Sequence, residues 1–170
     1  KSIEEKNPCK LQEPIIFNEI IKTNLLSIYN CIYKIQDLLN DYSSIVMLSS
    51  IGAHLSFPNN PGYQVSKAGL ESMARSIAYD LGSKNIRANS LVLGYIKTDM
   101  TSKSYNDKKL REERTNRTIL KRWGNVNDII GAVKFLLSEE SSYITGTSIN
   151  IDGGWLSKGF DNSNSSSFWS

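Results

Sequence analysis

The chain has 170 residues, 39% hydrophobic and 22% charged, which is enough to bury one core and sets aside the disordered, collagenous and disulfide-scaffold classes. Its formal net charge of +3 comes from 20 Lys and Arg against 17 Asp and Glu, with no basic block interleaved with aromatics, so no nucleic-acid partner is expected. No apolar run is long enough to span a bilayer, and Cys9 and Cys31 share no metal-ligand or redox spacing; no membrane, no metal and a reduced, cytoplasmic setting follow as expectations.

Nothing before residue 14 shows a helical or strand period, and the opening KSIEEKNPCK has no initiator methionine. From Phe17 to about Leu39 the residues Ile21, Leu25, Ile28, Ile32, Ile35 and Leu39 recur every three or four positions, which predicts an amphipathic helix just after Pro14. SSIVMLSS (43–50) is a short apolar, β-branched run and predicts a buried strand, followed by the turn-rich loop IGAHLSFPNNPG. A second helix is expected from near Gly62 to Leu81, built on Gly69, Met73, Ile77 and Leu81, with Gly82 as its stop signal. IRANSLVLG (86–94) predicts the second buried strand.

Residues 99–123 are strongly polar, with Leu110, Ile119 and Leu120 as the expected anchors, and read as a mobile helical lid over a site. A helix using Val126, Ile129, Ile130, Val133, Leu136 and Leu137 then leads into TSINIDGG, the third strand. Strands alternating with helices predict a parallel sheet covered on both faces, the doubly wound α/β class. Residues 1–158 read as part of one such domain, and the polar 159–170, ending DNSNSSSFWS, as a disordered tail.

Two Tyr-x-x-x-Lys pairs carry candidate chemistry, Tyr63 with Lys67 and Tyr105 with Lys109. Context separates them. Tyr63 follows a buried strand ending Ser49-Ser50 and a Gly/Pro loop, and it opens a helix, where doubly wound folds place ligands. Tyr105 has no strand ahead of it and is expected to be solvated surface. The sole histidine, His54, is expected to be surface or a substrate wall, because no Gly-x-Ser-x-Gly elbow supports a hydrolase.

With strand, serine, loop and helix in that order, the chain resembles the short-chain dehydrogenase/reductase family from about Phe17 to Lys158. KTNLLSIYN is similar to the helix that bears the family's asparagine, here Asn24, and IVMLSSIGAH to its strand and serine, with Ser50 thirteen residues before Tyr63. YQVSK matches the Tyr-x-x-x-Lys motif, IRANSLVLGYIKTDM the segment that cradles nicotinamide, and YITGTSINIDGG the closing strand. The resemblance implies a Rossmann-like fold, NAD or NADP as cofactor, a small-molecule carbonyl or alcohol substrate, and a homo-oligomer, dimer or tetramer.

By the same resemblance Asn24, Ser50, Tyr63 and Lys67 are catalytic, while Tyr63, Lys67, Gly94, Ile96 and Thr98 bind the cofactor. A free tyrosine titrates near ~10, so only about one in a thousand is phenolate at neutral pH. A charge ~5 Å away, on the same helix face, would stabilise phenolate by roughly 3 kcal/mol at an effective dielectric of ~20. Tyr63 is thereby expected to act as the general acid/base, with Ser50 holding the carbonyl oxygen, Lys67 gripping the ribose and Asn24 supporting a proton-relaying water.

Two departures stand out. The family's Pro-Gly is Leu93-Gly94 here, without proline's fixed φ, and the Gly-rich turn that holds a dinucleotide pyrophosphate is absent from the sequence. The expectation is a carboxy-terminal part of a longer NAD(P)-dependent oxidoreductase. The alternative is a truncated, noncatalytic relic or assembly partner. Oxoacyl thioesters, sugars or polyols, and hydroxysteroids are the substrate classes the resemblance offers, with a small polar carbonyl or acyl compound favoured.

Overall fold

The computed structural model describes residues 11–159, so the expected tail lies, apart from Gly159, outside the described residues. The first helix begins earlier than its apolar period suggests, at the proline: α1 (Pro14–Ile21) passes through a π-helical turn (Lys22–Leu26) into α2 (Ser27–Ile35) and a 3₁₀ turn (Gln36–Leu38). Pro14 occupies the first turn, where a missing N–H costs nothing. In the π turn the Ser27 amide reaches back to the Lys22 carbonyl, which deprives the Thr23 carbonyl of its α-helical donor; the Ser27 hydroxyl replaces it at 2.5 Å.

Strand β1 (Ser44–Ser50), helix α3 (Pro61–Leu81) and strand β2 (Arg87–Leu93) follow, then α4 (Ser102–Asn106), α5 (Lys108–Arg117), α6 (Asn127–Leu137) and β3 (Ser148–Ile151). The described sheet runs β1-β2-β3, all parallel. Ser50 pairs with Leu93 and Leu93 with Ile151, so the three strands end level and present their following residues at one rim.

Side-chain alternation divides the sheet into two faces. On one, Ile45, Met47 and Ala88 meet Leu70, Ala74, Ile77 and Ala78 of α3, with Leu25 and Ile32 closing the cluster from the first helix. Each large side chain buried there contributes about 1.5–3 kcal/mol. On the other face the Ser44 hydroxyl donates to the Leu136 carbonyl of α6 at 2.6 Å. The buried Arg87 guanidinium donates to Leu136 O, Ser138 O and Ser141 Oγ at 2.8–3.0 Å. Its charge is satisfied by acceptors from the end of α6. Helices thus cover both faces, as the alternation of elements predicts.

Helix α3 ends at Leu81, as expected, with Gly82 at its C-cap; the glycine keeps right-handed angles (φ −62°) and starts a 3₁₀ turn, and Asn85 makes the left-handed exit at φ 57°. Asparagine tolerates that region. The expectations for the next polar segment need correction. The segment 99–123 is only partly anchored by its aliphatics: Leu110 is half-buried, but Ile119 and Leu120 are exposed. It is held by aromatic rings: Trp123, buried, packs 5.1 Å from Tyr95 and 5.3 Å from Tyr105, and Tyr95 packs 5.1 Å from Trp155. Tyr105 is therefore half-buried, not solvated, because its ring partner lies eighteen residues downstream, beyond any local pattern.

The same segment is clamped to α6 by Arg122, whose two terminal nitrogens each donate to an Asp128 oxygen at 2.8 Å, while the Asn125 amide donates to the same carboxylate at 2.7 Å. These donors lower the Asp128 pKa from 3.8 to about 2. The folded value lies below the unfolded one, so this stabilisation is complete above 3.8 and fades as pH falls through about 2. Thermal unfolding of the wild type and Asp128→Asn should therefore show a gap at neutral pH that closes near pH 2; a gap independent of pH would contradict the assignment.

Candidate active site

The level strand ends place the first residues after β1 and β2, and the opening turn of α3, around one cavity of about 370 Å³. Ser50, Tyr63 and Gly94 all line it, with Gln64, Tyr95 and Arg114. The Ser50 hydroxyl oxygen accepts from the Gly52 amide at 3.1 Å, which leaves its own proton free to be donated. A Cβ built on Gly52 would stand 3.4 Å from the Tyr63 ring and 3.5 Å from Ser50 Oγ, so the bare glycine lies between the two hydroxyl-bearing side chains.

Lys67 lies one turn beyond Tyr63 on α3, with its Nζ 5.7 Å from the Tyr63 ring centroid. It donates to the Leu48 carbonyl at 2.9 Å, and burial pushes its ammonium below the ordinary 10.5. Asn24 sits in the π turn and reaches the site indirectly: its amide nitrogen donates to Ser66 Oγ at 3.3 Å, and that hydroxyl donates to the Tyr63 carbonyl at 2.7 Å. Of the sequence-derived set, Ser50, Tyr63, Lys67 and Gly94 are gathered directly and Asn24 through Ser66.

Ile96 and Thr98 stand apart. Ile96 is buried beside a second cavity of about 490 Å³, which it shares with Gly94, and its carbonyl accepts the Thr101 hydroxyl at 2.6 Å. Thr98 is exposed and lines neither cavity; its hydroxyl lies 3.3 Å from Thr101 Oγ1 in a reciprocal cap. Gly94 itself needs no proline to be fixed, since a Cβ there would come within 2.7 Å of the Asp152 backbone. That close approach welds the end of β2 to the residue after β3.

Glu71 escaped notice in the sequence. It lies two turns along α3 from Gln64, 6% exposed, and accepts from Ser49 Oγ at 2.7 Å and Ser148 Oγ at 3.1 Å, with His54 Nε2 3.1 Å away. Ser49 also contacts the Lys67 carbonyl at 3.1 Å. A buried carboxylate is tolerated only with such partners, and here they come from β1, β3 and the loop after β1. His54, expected at the surface or in a substrate wall, is exposed, and its ring also meets this carboxylate. The clue available in the sequence was the acid's position on the apolar side of α3, one residue after Leu70. Among the described residues no three His, Cys, Asp or Glu side chains cluster as a metal site, and no helix is long and apolar enough to cross a membrane.

A family model described as enoyl-(acyl carrier protein) reductase matches residues 4–156. The 3-oxoacyl-(acyl-carrier-protein) reductase of Staphylococcus epidermidis is 34% identical over 140 residues, 81% of this chain and 57% of that protein. A solved short-chain dehydrogenase/reductase from Brucella melitensis, described as a glucose/ribitol dehydrogenase, superposes with a TM-score of 0.80 at 30% identity, covering 85% of this chain and 58% of that one. A 4-hydroxyisoleucine dehydrogenase mutant complexed with NADH and succinate gives 0.82 at 25% identity, covering 87% and 62%. The chain spans a little under three fifths of the Staphylococcus reductase it matches.

Removing the Glu71 carboxylate would leave two serine hydroxyls and an imidazole without their acceptor. Glu71→Ala should lower stability by about 2–4 kcal/mol, and Glu71→Gln, which keeps one acceptor, by less. Urea unfolding of the two variants checks this; equal and small losses would show that the carboxylate carries little of the packing.

Proposed function

As the chain belongs to the short-chain dehydrogenase/reductase family, whose members are oxidoreductases, we propose that it interconverts a secondary alcohol and a ketone by hydride transfer with NAD or NADP. The observation that carries this reading is the convergence of Ser50 and Tyr63 on one cavity, with Lys67 a turn behind the tyrosine. The residues present suit the nicotinamide end of such a cofactor. Lys67 supplies a half-buried donor beside Tyr63, and Gly94 lines the cavity of Ser50 and Tyr63 as well as the neighbouring one beside Ile96; Thr98 would enter a nicotinamide cradle only from outside both. The sequence contains no Gly-x-Gly turn, so its residues do not account for the pyrophosphate end.

When bound, the nicotinamide gives or takes the hydride. In reduction the Tyr63 hydroxyl donates its proton to the substrate oxygen, and in oxidation the phenolate recovers it. Ser50, its oxygen already engaged by the Gly52 amide, keeps its proton and donates a hydrogen bond to the same oxygen, which fixes its position. Lys67 stabilises the phenolate and would hold the ribose hydroxyls; its lowered pKa eases its exchange of protons with the site. Asn24, tied through Ser66 to the backbone of Tyr63, places a relaying water toward Lys67. The substrate is a small carbonyl or alcohol compound, and the setting cytoplasmic. Exposed Ile15, Ile16, Tyr29 and Tyr33 on the first helix support self-association into a dimer or tetramer.

Turnover is followed by nicotinamide absorbance with the purified full-length protein and a panel of secondary alcohols and ketones. Tyr63→Phe should reduce it by about 10²- to 10⁴-fold, whereas Tyr105→Phe, which keeps the packed ring, should change it little. Ser50→Ala should lower kcat by about 10²-fold with cofactor KM nearly unchanged, and Lys67→Ala should raise cofactor KM as well. Equal losses from the two tyrosine variants would sink the assignment, as would a Ser50→Ala effect confined to cofactor binding.

A further inference from the structure

Helix α5 carries three arginines at every third position, and each lies on an aromatic ring. Arg111 is 5.5 Å from the Tyr105 ring centroid, Arg114 4.6 Å from that of Tyr95, and Arg117 5.3 Å from that of Trp155. Arg111 also donates to the Tyr105 carbonyl at 3.2 Å. Arg114 differs from both: it lines the cavity that holds Ser50 and Tyr63, and its Nη1 is buried without a hydrogen-bond partner among the described residues. A guanidinium nitrogen stripped of water and left unpaired is costly, and proteins keep such groups where a ligand completes them.

The rest of the lining says what that ligand is. Among the described residues Arg114 is the only charged one lining the cavity, and no carboxylate lines it; Ser50, Tyr63, Gln64, Asn60 and Thr101 supply neutral polar groups. Contact with the Tyr95 ring, 4.6 Å from its centroid, holds the guanidinium at the cavity wall, and its fork suits a planar two-oxygen acceptor. The volume, about 370 Å³, lies near the small end of ligand cavities. We infer that the substrate is a small hydroxy or oxo acid whose carboxylate is held by Arg114 while its hydroxyl or carbonyl oxygen lies between Ser50 and Tyr63. This rests on the oxidoreductase reading above and names its substrate class. Arg114 acts on specificity: it binds the end of the molecule that does not react.

The test compares short hydroxy acids with their methyl esters as substrates of the purified protein, and measures succinate binding by calorimetry with no turnover involved. The wild type should favour each acid over its ester by about 100-fold in kcat/KM, the order expected for one desolvated charge pair. Arg114→Leu should bring that ratio to about one, chiefly through KM, and Arg114→Lys should recover part of it. Succinate should bind the wild type and lose about 100-fold in affinity to Arg114→Gln. An acid-to-ester ratio near one in the wild type, or a ratio unchanged by Arg114→Leu, overturns the inference, and so does succinate affinity indifferent to Arg114. If esters and acids turn over alike and Tyr63→Phe stops both, the oxidoreductase reading stands and this one falls. If nothing turns over in the full-length protein, the oxidoreductase reading fails, while succinate binding still decides whether Arg114 takes a carboxylate.

Discussion

The carboxylate of Glu71 is the contact on which the geometry of the site depends. It is buried against the sheet and joins α3 to β1 through Ser49, to β3 through Ser148 and to the loop after β1 through His54. Apolar packing alone would let a helix slide along a sheet with little penalty, because dispersion and area burial are nearly indifferent to small shifts. A buried ion with directional partners on three elements is not indifferent. Tyr63 and Lys67 lie on the same helix, and Ser50 is the residue after Ser49. The polar junction therefore sets how far the tyrosine stands from the serine.

What was legible in the sequence was what depends on local period and order. The first two strands and α3 lie within a residue or two of where their apolar runs place them, and β3 ends three residues short of the expected Gly154; Ser50, Tyr63 and Lys67 come together because strand, loop and helix are consecutive. What escaped depends on partners far along the chain. Glu71 looks like any acidic helix residue until Ser49 and Ser148 are seen to surround it. Tyr105 reads as surface because its ring contact is Trp123, and the 99–123 segment reads as loosely held because its anchors, Tyr95 and Trp155, lie outside it. Arg114 belongs to the same class: nothing in KKLREERTNR marks the middle arginine as the one that reaches the cavity.

The aromatic row Tyr105–Trp123–Tyr95–Trp155 connects the polar segment to the strand ends that build the site. Its arginine partners keep a highly charged helix in contact with that row with little aliphatic anchoring, since a guanidinium can lie on a ring face and remain solvated at its edge. Polarity and close packing are compatible here for that reason. The Arg122–Asp128 clamp then fixes the far end of the segment to α6, so that both its ends are held while its middle faces the cavity.

The π turn between α1 and α2 has a consequence for how the chain can vary in length. Such a turn accommodates one residue more than the α-helical path it replaces, while the helix before and after keeps its direction and faces. Elsewhere in α1 or α2 the loss of one residue would rotate everything beyond it by about 100°, turning Ile32 away from the sheet cluster or Phe17 away from α3. Within Lys22–Leu26 the same deletion would only return the turn to ordinary α-helix and give the Thr23 carbonyl back its amide donor. The first helix can therefore shed a residue without repacking at one place alone, and that place holds Asn24.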